Sequence, residues 1–311
     1  MNPIEKNAIH LDAGEKAFFD DQLTLVKART YDVIHKDLKA LTLLPVSTEQ
    51  DDAAEHIEYR SYDQVGMAKI VSDYANDFPR VDTLGTKKSV QVHSLGDSYG
   101  YSIQEIRRAA RANFNLDARR AMAARRGIEE KQDRLAWFGD SKAGLNGFIN
   151  AEGITEYVAG NNLAGTSKSW ANKTADEKLA DVVGILTAAP ESTNGKEVPD
   201  TLILPLALYN DLAYTPYGDN RDKTLLTFIR ENYPTLTRID WVQDLVGAGA
   251  SGTNRVMAYT RDPMKVEVQI PLRLEQLPPE RKGMEYSVIC HQRTGGTIVY
   301  YPQSVVFCDG L

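Results

Sequence analysis

Residues 138–150 read FGDSKAGLNGFIN, and two readings of this stretch lead to different folds. Gly139 and Gly144 are separated by four residues, as at the start of a phosphate-cradling loop. Such a loop goes on to Gly-Lys-Ser/Thr, where the lysine reaches the outer phosphates and the hydroxyl holds magnesium. Here Leu145 and Asn146 follow, so both chemical residues are missing. The dinucleotide pattern G-x-G-x-x-G also fails, because Gly139, Gly144 and Gly147 do not fit its spacing. A phosphate loop follows a strand and opens a helix, whereas the residues before Gly139 read as a long helix that is ending. The stretch is therefore predicted to be a helix C-terminus and a tight turn, with Gly139 as the left-handed cap residue. No cofactor is expected there.

Working upstream, Ser102-Ile103-Gln104-Glu105 is a capping box, in which the hydroxyl caps one orphan amide and the glutamate reaches back to another. Ile106, Ala110, Phe114, Ala121, Ile128 and Leu135 follow one helical face as far as Phe138, roughly 55 Å if unbroken. Asn113 and Asn115 to Asp117 predict a break, giving a short helix and then a long one from about Leu116. Gly127 costs about 1 kcal/mol relative to alanine inside a helix, which close packing would justify. Seven arginines lie between Arg107 and Arg126. They could contact phosphates, or form a solvated or subunit-contacting face paired with Glu105, Glu129, Glu130 and Asp133. The second reading is favoured, because the interleaved aromatics of a single-strand binder are missing.

Further upstream, residues 56–65 (HIEYRSYDQV) and 89–101 (SVQVHSLGDSYGY) alternate as strands do. The twenty-three residues between them are long for a hairpin connection. They contain Ile70, Val71, Tyr74, Phe78, Val81 and Leu84, which are costly to leave in water. A protruding hairpin is predicted, with these groups covered by another subunit. Residues 1–14 show no pattern. From Glu15 to Leu41 the apolar spacing predicts an amphipathic helix that Pro45 ends.

Downstream the pattern is α/β: helix 175–188, strand 201–205, helix 206–214, helix 224–232 and strand 236–245. NRVMAYT and MKVEVQI are predicted to pair as a hairpin through Arg261-Asp262-Pro263. MEYSVICHQR and TIVYYPQSVVF are predicted to pair through Thr294-Gly295-Gly296, with Pro302 at an edge or bulge.

The chain has 311 residues, is 42% hydrophobic and 25% charged, and carries a net charge of -7. That describes a globular protein and argues against a general nucleic-acid coat. No apolar run approaches a membrane span, and the first residues do not read as a signal peptide. Cys290 and Cys308 sit in apolar runs and are expected as buried thiols in a cytoplasm; a disulfide between them is an alternative that nothing demands. The five histidines have no metal-like spacing, no nucleophile elbow is present, and the paired carboxylates lie in polar contexts. No catalytic, cofactor-binding or metal-binding residue is expected, and the chain does not read as an enzyme.

Three segments taken in order, EYRSYDQVGMAKIVSDYANDFPRVD (58–82), YGYSIQEI through LAWFGD (99–140) and GLNGFIN (144–150), resemble the major capsid proteins of tailed bacteriophages. These have the α+β Johnson fold, which encapsulin shells share. The likeness runs from about residue 40 to the end. It implies an N-terminal arm with a helix (1–55), an extended hairpin loop over a neighbouring subunit (56–101) and a peripheral domain with a long spine helix (102–177). An axial domain (178–265) and the return strands of the peripheral domain (266–311) complete the expected division. Ser102 and Glu105 would cap the spine, and Gly139, Gly144 and Gly147 would shape its exit. The implied function is a structural protein that self-assembles into an icosahedral virion capsid around a phage genome. The implied partners are its own copies in hexamers and pentamers, a separate scaffolding protein, a portal, a decoration protein and packaged double-stranded DNA held by non-specific contact. No membrane is implied, and assembly is expected in the host bacterial cytoplasm. The alternative is an encapsulin-type compartment enclosing a cargo enzyme. Some relatives crosslink a lysine to an asparagine between subunits; Lys69, Lys87 and Lys88 are assigned no such role.

Overall fold

The computed structural model describes residues 36–65, 82–112, 118–218 and 222–311, with the backbone alone for 61–65, 82–86, 108–112 and 118. Ile70, Val71, Tyr74, Phe78 and Val81 lie outside the described residues, as does most of the helix predicted from Glu15. The chain divides into two units, Met1–Asp37 and Leu38–Leu311. Of the first, only Lys36 and Asp37 are described, without regular structure. Among the described residues, every helix and strand belongs to the second unit.

In chain order the first elements are α1 (Ala40–Leu43), β1 (Val46–Ser47), β2 (His56–Val65), β3 (Asp82–Gln91), β4 (His93–Ser102), α2 (Ile103–Ala112), α3 (Ala118–Phe138), β5 (Gly139–Asp140), β6 (Leu145–Asn146) and β7 (Thr155–Glu156). Then come α4 (Ala175–Ser192), β8 (Thr201–Leu204), α5 (Leu206–Tyr214), β9 (Pro216–Tyr217), β10 (Lys223–Thr224), α6 (Leu225–Asn232), β11 (Arg238–Trp241) and β12 (Arg255–Tyr259). The last are β13 (Val266–Gln269), β14 (Leu272–Gln276), β15 (Glu280–Lys282), β16 (Glu285–Thr294), β17 (Gly296–Val299) and β18 (Val305–Asp309).

The central sheet has the order β11-β8-β12-β18-β7. Successive strand residues point to opposite faces, and here both faces are covered. Leu202, Leu204, Val256, Ala258, Val306 and Cys308 join Val182, Ile185 and Ala189 of α4 and Leu225 and Ile229 of α6 in one core. Ile203, Met257, Tyr259 and Val305, from the alternate positions, pack with Leu43, Trp137, Phe148 and Val268 in a second. Full burial on both faces is why these strands read as unbroken apolar runs. Both cysteines are free and buried, and burial raises the Cys308 thiol to about 11.

Two sequence-based pairings are corrected. β12 and β13 do not form a hairpin: β12 lies between β8 and β18, while β13 lies between β1 and β17. Nor do 284–293 and 297–307 pair. β16 bonds to β14, β15 and β4, and the second stretch divides at a 3-10 turn, Pro302–Ser304, into β17 and β18, which join different sheets. Thus Pro302 opens a 3-10 turn and marks neither an edge strand nor a bulge. Local sequence specifies a strand but not its partner, and a strand buried on both faces can take neighbours from anywhere in the chain.

A third correction concerns the protruding hairpin. β2 pairs with β3 over ten residues, from His56 opposite Gln91 to Val65 opposite Asp82. β4 instead runs along β16. The connection is therefore 66–81, shorter than predicted. Residues 82–88, DTLGTKK, lack an apolar alternation and so could not be read as strand from pattern alone. Leu84 lies within β3, opposite Asp63. α4 also runs beyond the predicted Ala188 to Ser192, with Pro190 inside it.

A charged group lies inside the first core. The Lys173 ammonium donates to Asp181 Oδ2 at 2.5 Å, and Trp170 Nε1 donates to the same oxygen at 2.9 Å. The two charged side chains are 1% and 5% exposed. Removing one partner of such a pair leaves an uncompensated buried charge. Asp181→Ala is expected to lower unfolding free energy by about 3–5 kcal/mol. Replacing both residues by apolar ones of similar volume is expected to cost far less; urea titrations of the two variants measure the contrast.

Candidate functional site

Three features stand out from the globular body: the capped start of α2, the exit of α3, and the base of the β2–β3 hairpin. At the entry, Glu105 N–H donates to Ser102 Oγ at 3.2 Å and Ser102 N–H donates to Glu105 Oε2 at 2.9 Å. The same carboxylate accepts from Arg120 of the next helix at 2.9 Å. Arg120 also donates to the Gly100 carbonyl and lies over the Tyr101 ring. One arginine therefore ties β4, α2 and α3 together. This arginine, with the Ser102 amide second, holds the Glu105 carboxyl down at about 2.

Further along α3, Arg125 pairs with Glu129 and Arg126 with Glu130, each one turn away. This is the paired-face arrangement, worth a few tenths of a kcal/mol per pair. Gly127 faces β4, where an added Cβ would sit 3.2 Å from Asp97 Oδ2. The helix thus lies too close to the strand for a side chain without a small shift.

At the exit, Gly139 has φ +66° and Gly144 φ +66°. A Cβ on Gly139 would lie 2.2 Å from the Leu145 carbonyl oxygen, and one on Gly147 would lie 2.3 Å from Gly139 N. Gly144 faces open space. Glycine at 139 and 147 lets the chain fold back against the helix end, and the hydrogen bonds give the reason. A helix leaves its last carbonyls unpaired. Phe148 N–H donates to Ala136 O and Ile149 N–H to Trp137 O, both at 2.9 Å. Asn150 Nδ2 donates to Phe138 O, and Thr297 Oγ1 adds a second bond to Ala136 O. Lys131, Arg134, Ser141 and Asn150 line an open polar hollow beside the turn, and Asp140 lies 3.7 Å from Lys131 within it.

At the hairpin base, Ile57, Val92 and Ile298 form a small core with Tyr59, Val90 and Tyr300. Tyr59 meets Tyr300 edge to face, with centroids 5.0 Å apart. Tyr300 OH donates to Glu267 Oε2 at 3.2 Å, and Gln269 Nε2 donates to the same oxygen at 2.8 Å. Burial and the neighbouring carboxylate push the Tyr300 phenol upward. Around these residues is an open cavity of about 290 Å³, completed by Arg60, Pro263, Met264 and Tyr301.

Sequence reasoning misses this cavity, which draws on three distant segments, and it misses the strap formed by residues 39–47. Ala40 N–H donates to Asp133 Oδ1 on α3. Tyr259 OH and Arg261 Nε both donate to Leu43 O at 2.9 Å, and Arg238 donates to Thr42 O. Lys39 reaches Asp240 at 2.9 Å and lies over the Trp241 ring. The strap thereby bridges α3 and the central sheet. Among the described residues, no group of three or more His, Cys, Asp or Glu side chains could hold a metal ion, and no helix is long and apolar enough to cross a membrane.

A family model described as major capsid protein matches residues 66–311. No curated protein matches the sequence. Among solved structures, the chain is similar to the capsid of Myoviridae phage XM1, at 20% identity and TM-score 0.72 over 90% of this chain and 95% of that one. It is similar to the capsid of a native GTA particle, at 10% identity and TM-score 0.65 over 91% and 93%. It is also similar to a virus-like particle from Pyrococcus furiosus, at 16% identity and TM-score 0.56 over 86% and 91%. At these identities the likeness establishes the α+β capsid fold.

The start of α2 and the end of the spine helix α3 respond to substitution in different ways. Gly147→Ala is expected to destabilise the protein well beyond Gly144→Ala, which meets no atom and costs about 1–2 kcal/mol for its left-handed backbone; thermal unfolding of both variants checks the order. Glu105 is a carboxylate whose folded pKa lies below its ordinary 4.5, so its contribution is full above that value and is lost as pH falls towards about 2. Glu105→Gln is expected to be less stable than the native protein at neutral pH, with the gap closing across that acidic window in a pH series of urea titrations.

Proposed function

The chain belongs to the major capsid protein family and has a structural role in a phage capsid shell; from that premise we propose that it closes an icosahedral shell of hexamers and pentamers around a tailed-phage genome. The observation that carries the geometry is the β2–β3 ladder, which stands as a two-stranded sheet apart from every other. Its sixteen-residue connection is rich in apolar residues. A closed shell needs contacts that repeat by symmetry, and an arm of this kind supplies area beyond the compact body.

In this reading residues 1–55 are the N-terminal arm and 56–101 the extended loop. Residues 102–177 form the peripheral domain with α3 as its spine, 178–265 the axial domain and 266–311 the return strands. β18 enters the central sheet beside β12, which makes the return a link between the two domains. Ile70, Val71, Tyr74, Phe78, Val81 and Leu84 contact the neighbouring subunit. The partners are a separate scaffolding protein, a portal, a decoration protein and DNA held without sequence preference, with assembly in the bacterial cytoplasm. The match to the major capsid protein family favours this over a cargo-loaded compartment.

Expression alone and with the neighbouring genes, followed by size exclusion and negative-stain microscopy, tests the proposal. Shells, tubes or ring-shaped capsomers are expected under one of the two conditions; a small oligomer that never assembles under either refutes it. Phe78→Asp is expected to reduce shell yield severely while leaving the circular dichroism spectrum and unfolding midpoint of the unassembled chain unchanged.

A further inference from the structure

We infer that the aromatic cavity at the base of the β2–β3 hairpin is a binding site for a small organic ammonium ion. The inference concerns the single chain and stands whether or not its copies form a shell.

The walls supply aromatic surface. Tyr59 and Tyr300 meet at an interplanar angle of 89°, with centroids 5.0 Å apart, and Tyr301, Pro263 and Met264 complete the lining. Met264 is 76% and Tyr301 52% exposed, so solutes have access. The face of an aromatic ring is its negative side, and it attracts a cation more strongly as the cation loses its water. An organic ammonium ion joins that charge to methyl or alkyl groups, which proline and methionine side chains can cover. A volume of about 290 Å³ is at the small end for a molecular ligand and suits such an ion.

Charge selects a cation over a neutral solute or an anion. Glu267 lies half-buried at the cavity. Its Oε2 accepts from Tyr300 OH at 3.2 Å and from Gln269 Nε2 at 2.8 Å, and both donors are neutral. Among the described residues no cationic side chain pairs with it. The basic groups nearby face other partners. Lys265 pairs with Glu197 at 2.6 Å. Arg60 borders the cavity but follows Tyr59 on β2, so the two side chains leave opposite faces of the ladder. Glu58 and Lys87 share the Arg60 face and pair at 2.7 Å; Lys87 first, and Arg60 with it, hold the Glu58 carboxyl below its ordinary value. Gln269, wholly buried beside Glu267, has an Oε1 without a hydrogen-bond partner. Acceptors thus exceed donors, and a half-buried carboxylate lacks a counter-charge, which is unfavourable until a cation arrives.

The full-length chain, in whatever assembly it forms, is titrated with choline and separately with the neutral alcohol in which a carbon atom replaces the choline nitrogen. Saturation-transfer NMR reads the bound fraction. Saturable choline binding is expected, with the neutral alcohol about tenfold weaker. Glu267→Gln and Tyr301→Ala are each expected to weaken choline binding about tenfold, with circular dichroism spectra unchanged. Tyr214→Ala removes an 88% exposed ring outside the cavity and is expected to leave binding as it is. Should Glu267→Gln disturb the fold, Tyr301→Ala decides alone. Absence of saturable choline binding overturns the site, as does equal binding of the neutral alcohol, or choline binding that survives Tyr301→Ala and a folded Glu267→Gln.

Discussion

The last turn of a helix carries carbonyl groups that the helix itself cannot pair, and at the end of α3 those of Ala136 and Trp137 lie inside the protein. Trp137 and Ala136 are inaccessible to solvent, so water cannot serve as their partner. The chain resolves this by doubling back at once, so that the amides of Phe148 and Ile149 arrive where the next helical turn would have placed its own. Doubling back brings two backbones into contact, which only glycine at 139 and 147 permits. Phe148 is delivered by the same turn into the core, between Trp137 and Tyr259. The helix end, the aromatic packing and the seat of the central sheet therefore depend on one return of the chain.

The strap at 39–47 answers a related need from the other side. Its short helix also ends in carbonyls, and Tyr259, Arg261 and Arg238 of the central-sheet region take them up. Its first amide goes to Asp133 on α3, and its continuation adds β1 to β13 in parallel. A few residues with little structure of their own thus fix the long helix against the sheet. Their polar bonds are satisfied mainly by residues about a hundred or two hundred positions away.

That distance explains what can be read in the sequence. The Ser102–Glu105 pairing and the run of helices and strands between 175 and 245 are encoded within a few residues, and local pattern suffices for them. The glycines at 139 and 147 can be noticed as turn residues, but the backbone approach that demands them cannot. The partners of β12, β13, β16 and β17 escape such a reading because adjacent apolar runs suggest hairpins while burial on both faces permits any neighbour. β3 is half hidden because residues 82–88 carry no apolar alternation, the signal by which a strand is read from sequence. The aromatic cavity is invisible for a simpler reason: residues 59, 60, 263, 264, 267, 300 and 301 share no pattern until the chain has folded.

The position of β18 has a bearing on when the protein becomes competent. This strand lies inside the central sheet, between β12 and β7, yet among the described residues every other strand precedes it. During synthesis the sheet has a gap until residue 309 has cleared the ribosome, and the two cores on its faces stay open. Non-local closure of this kind is slow compared with helix formation. A growing chain therefore cannot present a finished central sheet before β18 has been made.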